Sequence, residues 1–426
     1  MGEPTAFSRG VPGQPGVQSS TTAVDSALED RALREEQLRA ARQLYQEYPR
    51  SDAAFLMGLV SNVQGDTDAA IRYWEEDTRL ESDLVRLHDR AQTYSNLGDV
   101  FKGTGDFQKA EAMLVESLRL KPRLETRVAL ATVYYAQGRM EDCLGALGEG
   151  SLESYQGCLV RGQACQRLGK LEQAKRNYEA AIRLNAKSAE AYYGLAMTCA
   201  RLGEQAKADE YRKAFGAVKS ERQTMGRQMR AEYDPLLTTR QSLALTHTEA
   251  GKVYLAHGKP DMAEKLWLRA AEVEPRDTAC RFQLVMLYQK ARRNQEALRF
   301  SLEMIQAEPT NAFHYLGLGN LRVRLRQPVE AEAAFKKATE LAPRRAEGYF
   351  ALAQFYVRAS TNLAEAVRLS QQAVDLAPIA PHYGILAEAQ AKNGDKPAAR
   401  RAVEKACELD ADNPMYRKLR ASLQPE

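Results

Sequence analysis

The chain has 426 residues with a formal net charge of +4, and 44% of the residues are hydrophobic. This length fits two or three ordinary domains or one long array, and the apolar content is sufficient for a substantial core. The 60 basic residues are nearly balanced by 56 acidic ones. This balance argues against nucleic acid as a partner, because nucleic-acid-binding domains concentrate basic charge on one face. No stretch approaches the roughly 20 apolar residues that span a bilayer, so no membrane insertion is expected.

The N-terminal segment precedes any repetition in the sequence. Residues 1–23 are rich in Gly, Pro, Ser and Thr, a composition that predicts a disordered tail. Residues 24–50 are polar, but Leu28, Leu33 and Leu38 give a helix there one apolar side. We therefore expect residues 24–50 to form a capping helix for the structure that follows.

A pattern of small, aromatic and apolar residues then recurs with a period of 34. One copy consists of Tyr94, Leu97, Gly98, Phe101, Gly105, Ala110, Leu114 and Pro122. The order returns at His247, Ala250, Gly251, Tyr254, Gly258, Ala263, Trp267, Ala270 and Pro275, and again at Tyr315, Leu318, Gly319, Ala331, Phe335, Ala338 and Pro343. A fixed period of this kind is typical of repeat proteins, in which one unit cannot bury its apolar face without its neighbours.

Two antiparallel amphipathic helices in each copy explain the pattern. Small residues such as Gly98 and Ala110 let the helices approach closely, and a turn glycine such as Gly105 takes the left-handed conformation that ends a helix. Pro122 stops the second helix. These residues resemble the tetratricopeptide repeat (TPR) family. The resemblance implies an all-α fold, an α-solenoid in which antiparallel TPR helix pairs form a right-handed superhelix whose first helices line a concave groove.

The resemblance covers about four fifths of the chain, in about ten repeats. We assign residues 51–216 to a first block of five repeats and residues 244–413 to a second block of five. Residues 217–243 have the wrong spacing for a repeat and are predicted to be an extended helix with a connector. This connector is either a hinge or a bulge in a continuous superhelix. Residues 414–426 are predicted to form a C-terminal capping helix.

The resemblance also indicates which side chains face the groove, because ligand contacts in TPR proteins come largely from the first helix of each repeat. The corresponding positions here carry cations, amides and aromatic rings. The predicted groove residues are Arg167, Arg201, Phe282, Lys290, Phe313, Asn320, Arg324, Phe350, Gln354, Arg358 and Lys392. This combination favours an extended acidic peptide or a chain terminus as the ligand. The Lys/Asn/Asn/Lys/Arg set of the carboxylate-clamp TPR adaptors is incomplete, with Asn320 and Arg324 as its matching members.

The row of cations has a second explanation that does not need a ligand. Arg167, Arg201, Lys290, Arg324, Arg358 and Lys392 lie near the C-terminus of their predicted helices. A cation at that place gains about 0.3–1 kcal/mol from the helix dipole whether or not anything binds. Both explanations stay open at the level of the sequence, and they are compatible with each other.

The sequence shows no pattern for catalysis or for a cofactor. None of the five histidines lies three or four residues from another, and the six cysteines are scattered. Neither a phosphate-binding loop nor a nucleophile elbow occurs. Nearly all carboxylates fall on helix faces that are expected to be solvated. We therefore predict no enzyme activity, no metal site and no cofactor.

The first functional hypothesis is a non-catalytic, cytoplasmic scaffold or adaptor that binds a protein or peptide segment in its concave groove. The first alternative is a substrate-recognition subunit for a separate enzyme such as a glycosyltransferase, because similar superhelices precede the catalytic region of O-linked sugar transferases. The second alternative is a bacterial envelope assembly factor for secretion or polysaccharide export. That alternative implies a periplasmic or envelope-associated location and a removed N-terminal signal.

Overall fold

The structure is a computed structural model that describes residues 17–80, 88–148, 153–231, 234 and 236–423. Every regular element in these ranges is a helix, and no strand occurs among them. The chain divides into two compact units, unit 1 (Met1–Ala263) and unit 2 (Glu264–Glu426). The predicted tail at 1–23 lies mostly outside the described residues, and helix begins at Val17.

Unit 1 contains α1 (Val17–Glu47), α2 (Ser51–Val63), α3 (Thr67–Arg79), α4 (Arg90–Gly103), α5 (Phe107–Leu120), α6 (Leu124–Ala136), α7 (Met140–Leu147), α8 (Tyr155–Arg167), α9 (Leu171–Leu184), α10 (Ala189–Arg201), α11 (Gln205–Ala231) and α12 (Leu237–Ala256). Helix α13 (Pro260–Val273) crosses the boundary between the units. Unit 2 continues with α14 (Thr278–Lys290), α15 (Asn294–Ala307), α16 (Ala312–Arg324), α17 (Pro328–Leu341), α18 (Ala346–Ala359), α19 (Leu363–Leu376), α20 (Ala380–Lys392), α21 (Lys396–Leu409) and α22 (Pro414–Ser422).

Consecutive helices form antiparallel hairpins because each turn is encoded locally. Between α4 and α5, Gly105 takes a positive φ of 82°, a conformation that glycine adopts without steric cost. The next residue, Asp106, caps α5 by accepting a hydrogen bond from the backbone N–H of Lys109. Gly98 lets the two helices touch, because a Cβ there would lie 2.5 Å from Leu114 Cγ. The hairpin is therefore fixed by residues that recur with the repeat.

Large side chains fill the space between stacked hairpins. Tyr178 on α9 is 1% exposed, and its ring lies against two glycines, Gly162 of its own hairpin and Gly194 of the next. Trp74, Trp267 and Phe335 are similarly buried. Each hairpin thus buries its apolar face against its neighbour, as in a solenoid. The predicted all-α fold of stacked helix pairs is confirmed.

Helix α1 packs between two helices that are far apart in sequence. It contacts α2, which follows it directly, and α12, and α12 also contacts α2. Much of the contact is polar: the buried amide of Gln37 donates hydrogen bonds to Ser242 Oγ at 2.7 Å and Thr246 Oγ1 at 3.0 Å. Lys259 Nζ lies 3.2 Å from Glu47 Oε2 at the other end of α1.

Because of this packing, α12 belongs to unit 1. The repeat pattern of the sequence instead predicts that the second block of repeats begins at residue 244, which lies within α12. The described part of the segment at 217–243 includes the end of α11, which is 27 residues long, and the start of α12. The boundary of unit 1 therefore falls after Ala263, because α12 packs against α1 and α2. At the other end of the chain, α22 packs on α21, and Tyr416 is buried.

Candidate functional site

Unit 2 contains a groove of about 900 Å³ along three successive first helices, α14, α16 and α18. Six of the residues predicted from the sequence line it: Phe282, Phe313, Asn320, Arg324, Gln354 and Arg358. Other lining residues include Gln283, Met286, Gln289, Gly317, Val323 and Phe355. The groove is therefore built by equivalent positions of three repeats, because stacking places each first helix beside the next.

One end of the groove is apolar and open to solvent. Phe282, Met286 and Phe313 are each about half exposed, at 50%, 51% and 52%. Gly317 lies between them and the polar end, and a Cβ at this glycine would meet nothing within 4 Å. Exposed apolar groups that are clustered in a concave surface mark an interaction site more often than isolated ones do.

The other end of the groove carries two amides and two guanidinium groups. Asn320 and Arg324 come from α16, and Gln354 and Arg358 from α18. None of these four side chains forms a hydrogen bond or an ion pair with another residue in the part of the chain that the structure describes. Arg324 and Arg358 are exposed. The polar end can therefore donate hydrogen bonds to carboxylate or carbonyl oxygens of a ligand without first breaking internal contacts.

Buried polar contacts of Arg281, a residue of α14, hold one wall of the groove in place. Arg281 is 5% exposed and donates hydrogen bonds to the carbonyl oxygens of Ala271 at 3.1 Å and Asp277 at 2.7 Å. Its Nε also lies 3.0 Å from Glu303 Oε2 on α15. These contacts tie the start of α14 to the end of the preceding helix, so Phe282 and Met286 keep their place in the groove wall.

A second network holds the start of α16. Glu308 accepts hydrogen bonds from Asn311, Thr278 and His314, with His314 Nε2 at 2.8 Å from the carboxylate. The hydrogen bond from Asn311 is the largest of the causes that hold the pKa of Glu308 below its ordinary value. Glu308 therefore stays ionised and keeps the helix start, with Phe313, in place.

The remaining predicted residues lie outside this groove. In two cases the cation caps a neighbouring helix: Arg201 Nη1 donates to Gln166 O at 3.0 Å, and Lys392 Nζ to Val357 O at 2.6 Å. These contacts fit the second explanation from the sequence, in which the cation compensates a helix C-terminus. Arg167, Phe350 and Lys290 also lie outside: Arg167 stacks on Tyr135, the Phe350 ring is 5.1 Å from that of His382, and Lys290 is exposed.

Sequence reasoning missed several residues of the groove wall. Met286, Gln289 and Val323 occupy the ninth and twelfth positions of their repeats, which are among the positions expected to face the groove. A complete tabulation of those positions would have found them. Gln283 and Phe355 also line the groove but occupy other positions of their repeats.

Sequence reasoning also missed a buried charge cluster in unit 1. His88 Nε2 lies 2.9 Å from Asp77 Oδ2 and its Nδ1 3.2 Å from Asp52 Oδ1, and its ring stacks on Phe55 with centroids 3.8 Å apart. Burial disfavours the charged imidazole, but the hydrogen bonds and charges of both aspartates outweigh it and raise the pKa of His88 to about 9. The expectation that carboxylates lie on solvated faces is wrong for Asp52 and Asp77, which are 2% and 0% exposed.

The described part of the chain contains no group of three His, Cys, Asp or Glu side chains arranged to hold a metal ion. No helix in that part combines the length and the apolar character needed to cross a bilayer. The cysteines are buried except Cys407, and burial raises the pKa of the Cys280 thiol to about 12. The side chains that line the groove offer hydrogen bonding, charge and apolar contact.

Comparison with protein families agrees with the hairpins seen in the structure. A TPR repeat model matches residues 162–203, and three tetratricopeptide repeat models match residues 91–123, 316–381 and 380–405. These segments correspond to helix pairs in both units. The chain contains tetratricopeptide repeats in both units, and the repeat type predicted from the sequence is confirmed.

Individual proteins that are similar to this chain give less information than the family models. The protein O-mannosyl-transferase Tmtc1 of Drosophila melanogaster is 34% identical over 134 residues, which are 29% of this chain and 16% of that protein. The chain thus matches about a sixth of the length of this relative. Among solved structures, yeast Tom70 has a TM-score of 0.36 at 16% identity and covers 89% of this chain and 95% of its own. YrrB, described as a TPR protein with an unusual peptide-binding site, has a TM-score of 0.36 at 17% identity, over 42% of this chain and 92% of its own. Both scores are too low to carry any functional inference.

Proposed function

We propose that the protein is a non-catalytic scaffold that binds an extended acidic segment of another protein in the groove of α14, α16 and α18. The observation that carries this proposal is the pair Arg324 and Arg358, two exposed guanidinium groups without an internal partner in the described part of the chain, at one end of the groove. A residue pair that serves only the fold would be expected to make internal contacts, as Arg201 and Lys392 do.

The apolar end of the groove supplies the second half of the recognition. An aromatic or aliphatic ligand side chain buried against Phe282, Met286 and Phe313 contributes about 1.5–3 kcal/mol. Each exposed ion pair with Arg324 or Arg358 adds about 0.2–1 kcal/mol. The apolar contact therefore supplies more of the affinity, and the charges select the acidic ligand and its direction. The ligand should carry an apolar residue a few positions from one or two carboxylates.

A selection experiment tests this prediction and requires no identified partner. Random twelve-residue peptides displayed on phage are selected on the full chain, and the affinities of the recovered peptides are measured by fluorescence anisotropy. We expect recovered peptides to combine acidic residues with an apolar anchor. The double variant Arg324→Glu/Arg358→Glu should weaken their binding at least about fourfold, because two attractions of about 0.2–1 kcal/mol each are replaced by repulsions of similar size, a change of about 0.8–4 kcal/mol.

A matched control separates the groove from overall charge. Arg401 and Lys418 are exposed cations of unit 2 outside the groove, so Arg401→Glu/Lys418→Glu changes the net charge by the same amount. The control should bind the recovered peptides as the parent does, and both double variants should keep the helical circular dichroism signal. Peptides without acidic enrichment, or equal affinity in the parent and the groove variant, would contradict the proposal.

The similarity to the O-mannosyl-transferase supports a second candidate, in which the groove presents a polypeptide to a separate glycosyltransferase. The relevant observation is the 34% identity over 134 residues. Under this function the peptides selected by the groove should be glycosylated faster by the enzyme in the presence of the chain. Equal glycosylation rates with the parent and with Arg324→Glu/Arg358→Glu would rule out this candidate.

A further inference from the structure

The C-terminal ends of the three groove helices are unusually basic. The segments 288–294, 320–327 and 354–361 contain no acidic residue, and their basic residues are Lys290, Arg292, Arg293, Arg322, Arg324, Arg326 and Arg358. Arg293 is paired with Glu264 and Glu296, and Arg322 with Gln327. The other five are all exposed, and within the described ranges they have no hydrogen-bond or ion-pair partner. We call these five residues, Lys290, Arg292, Arg324, Arg326 and Arg358, the cationic rim.

Two residues of the cationic rim have a strained backbone. Arg292 and Arg326 have positive φ angles of 59° and 57° in the turns that follow α14 and α16. The turns before α13 and α21 have glycine in the same conformation, Gly258 with φ 73° and Gly394 with φ 95°. An L-residue with a side chain is disfavoured in this region, and glycine is not. The fold alone therefore favours glycine at both positions, and neither guanidinium group forms a hydrogen bond or an ion pair with another described residue that would offset the strain.

The cationic rim is continuous with the groove, because Arg324 and Arg358 belong to both. Lys290 is the last residue of α14 and Arg292 lies in the turn after it, and Arg326 lies in the turn after α16, two residues beyond Arg324. Exposed cations that keep their hydration and have no internal partners attract a run of negative charges, and the attraction depends on salt.

We propose that the cationic rim binds a run of several acidic residues adjacent in sequence to the part of the partner that enters the groove. This inference deepens the proposed function and rests on it. The ligand is thereby assigned two parts, an apolar anchor with one or two carboxylates in the groove and an acidic tract on the rim. The strained arginines add affinity for the tract at the expense of stability, a combination that serves binding and not folding.

The test uses the double variant Arg292→Gly/Arg326→Gly of the full chain, with fluorescein-labelled twelve-residue polyglutamate as the probe. Binding should weaken about tenfold at 50 mM salt, and the difference should shrink at 500 mM salt, where the Debye length is only about 4 Å. The melting temperature of unit 2 should rise by about 2–4 °C for each substitution because the strain is relieved. A variant that is more stable but binds less cannot owe its weaker binding to misfolding.

Two controls separate the rim from the groove. Arg292→Lys/Arg326→Lys keeps the charge and should bind polyglutamate as the parent does. Gly317→Trp fills the groove from a position where the space is open; it should abolish binding of the phage-selected peptides but leave polyglutamate affinity within about twofold. If Gly317→Trp still binds the phage-selected peptides as the parent does, the proposed function is wrong. The binding of polyglutamate tests the inference about the cationic rim separately.

Three results would overturn the inference about the rim. The first is unchanged polyglutamate binding in Arg292→Gly/Arg326→Gly. The second is a lower melting temperature in that variant, which would show that the arginines serve the fold. The third is binding of a 20-nucleotide RNA or of phosphatidylserine vesicles as tight as that of polyglutamate, which would assign the rim to a different polyanion.

Discussion

The buried His88 gives unit 1 a specific dependence on pH. His88 is held between Asp52 and Asp77, its side chain is 4% exposed, and its pKa is raised to about 9 from the ordinary value of 6.5. A group whose pKa is raised in the folded state stabilises the fold fully below its unfolded pKa and loses this effect as the pH rises through the folded value. The free energy of unfolding of unit 1 should therefore fall between about pH 6.5 and pH 9.

The size of the effect follows from the two pKa values. A difference from 6.5 to about 9, at about 1.4 kcal/mol for each pH unit, corresponds to about 3 kcal/mol. Because the side chain is almost fully buried, solvent screening reduces this value little. About 3 kcal/mol is a large part of the 5–15 kcal/mol that typically stabilises a domain, so the change should be easy to measure.

The protein offers a local reporter for this experiment. Of the two tryptophans, Trp74 lies in unit 1 and Trp267 in unit 2. Trp74 Nε1 donates a hydrogen bond to Phe55 O at 3.2 Å, and Phe55 stacks on His88. In a Trp267→Phe background, urea unfolding followed by the fluorescence of Trp74 reports unit 1 alone. The measurement is made in steps from pH 6 to pH 9.

Substituting the histidine provides the matched comparison. His88→Asn should be less stable than the parent at pH 6 by about 3 kcal/mol, and the two proteins should converge toward pH 9, where the imidazole of the parent becomes neutral. The reasoning is refuted if the parent shows equal stability at pH 6.5 and pH 9, or if His88→Asn keeps the same dependence on pH.

Three further predictions concern stability at neutral pH, each measured by urea unfolding. Two glycines of α16 should respond oppositely to alanine: Gly319→Ala should cost about 2 kcal/mol, because its Cβ would lie 2.4 Å from Phe335 Cε1, whereas Gly317→Ala in open space should gain about 1 kcal/mol of helix propensity. Arg281→Met should cost about 3 kcal/mol, since it leaves buried carbonyl oxygens and Glu303 without their partner. Gln37→Leu should destabilise unit 1 by about 1–3 kcal/mol through the loss of two buried hydrogen bonds.

Each of these three stability predictions has a result that would contradict it. Equal effects of alanine at Gly319 and Gly317 would show that the contact with Phe335 does not limit the space at Gly319. Parental stability of Arg281→Met would mean that water replaces the guanidinium, and parental stability of Gln37→Leu would mean that α1 docks through its apolar residues alone. Trp74 and Trp267 again separate the two units, because each reports the unit in which it lies.

The hairpins could be predicted from the sequence because their determinants are local. Gly105 and Asp106 specify a turn and a cap within two residues, and Gly98 and Leu114 specify the contact of the two helices. The same types of residue recur every 34 positions, so one interpreted hairpin extends to the others. Part of the groove wall repeats in the same way, since Arg324 and Arg358 occupy equivalent positions of α16 and α18, whereas Phe282 and Phe313 occupy different positions of their repeats.

Features that depend on distant contacts could not be predicted. The apolar side of α1 predicts that this helix packs against another helix, but it does not predict whether that helix is α2 or α12. The residues of α12 lie about 200 positions further along the chain than those of α1. His88 lies between two repeats, and its ring contacts Asp52 of α2 and Asp77 of α3. Each aspartate, seen alone, resembles a solvated residue on a helix. Only the packing of the two helices shows that they share one buried histidine.

The position of α1 has a consequence for how the protein is made. Gln37 reaches its hydrogen-bond partner Ser242 across 205 residues. At a synthesis rate of roughly 5–20 residues per second, the ribosome needs on the order of 10–40 s to supply the residues in between. During that time the side of α1 that will face α12 is exposed to other nascent or cellular proteins. A holding chaperone that covers α1 until residue 256 has emerged would raise the yield of folded chain.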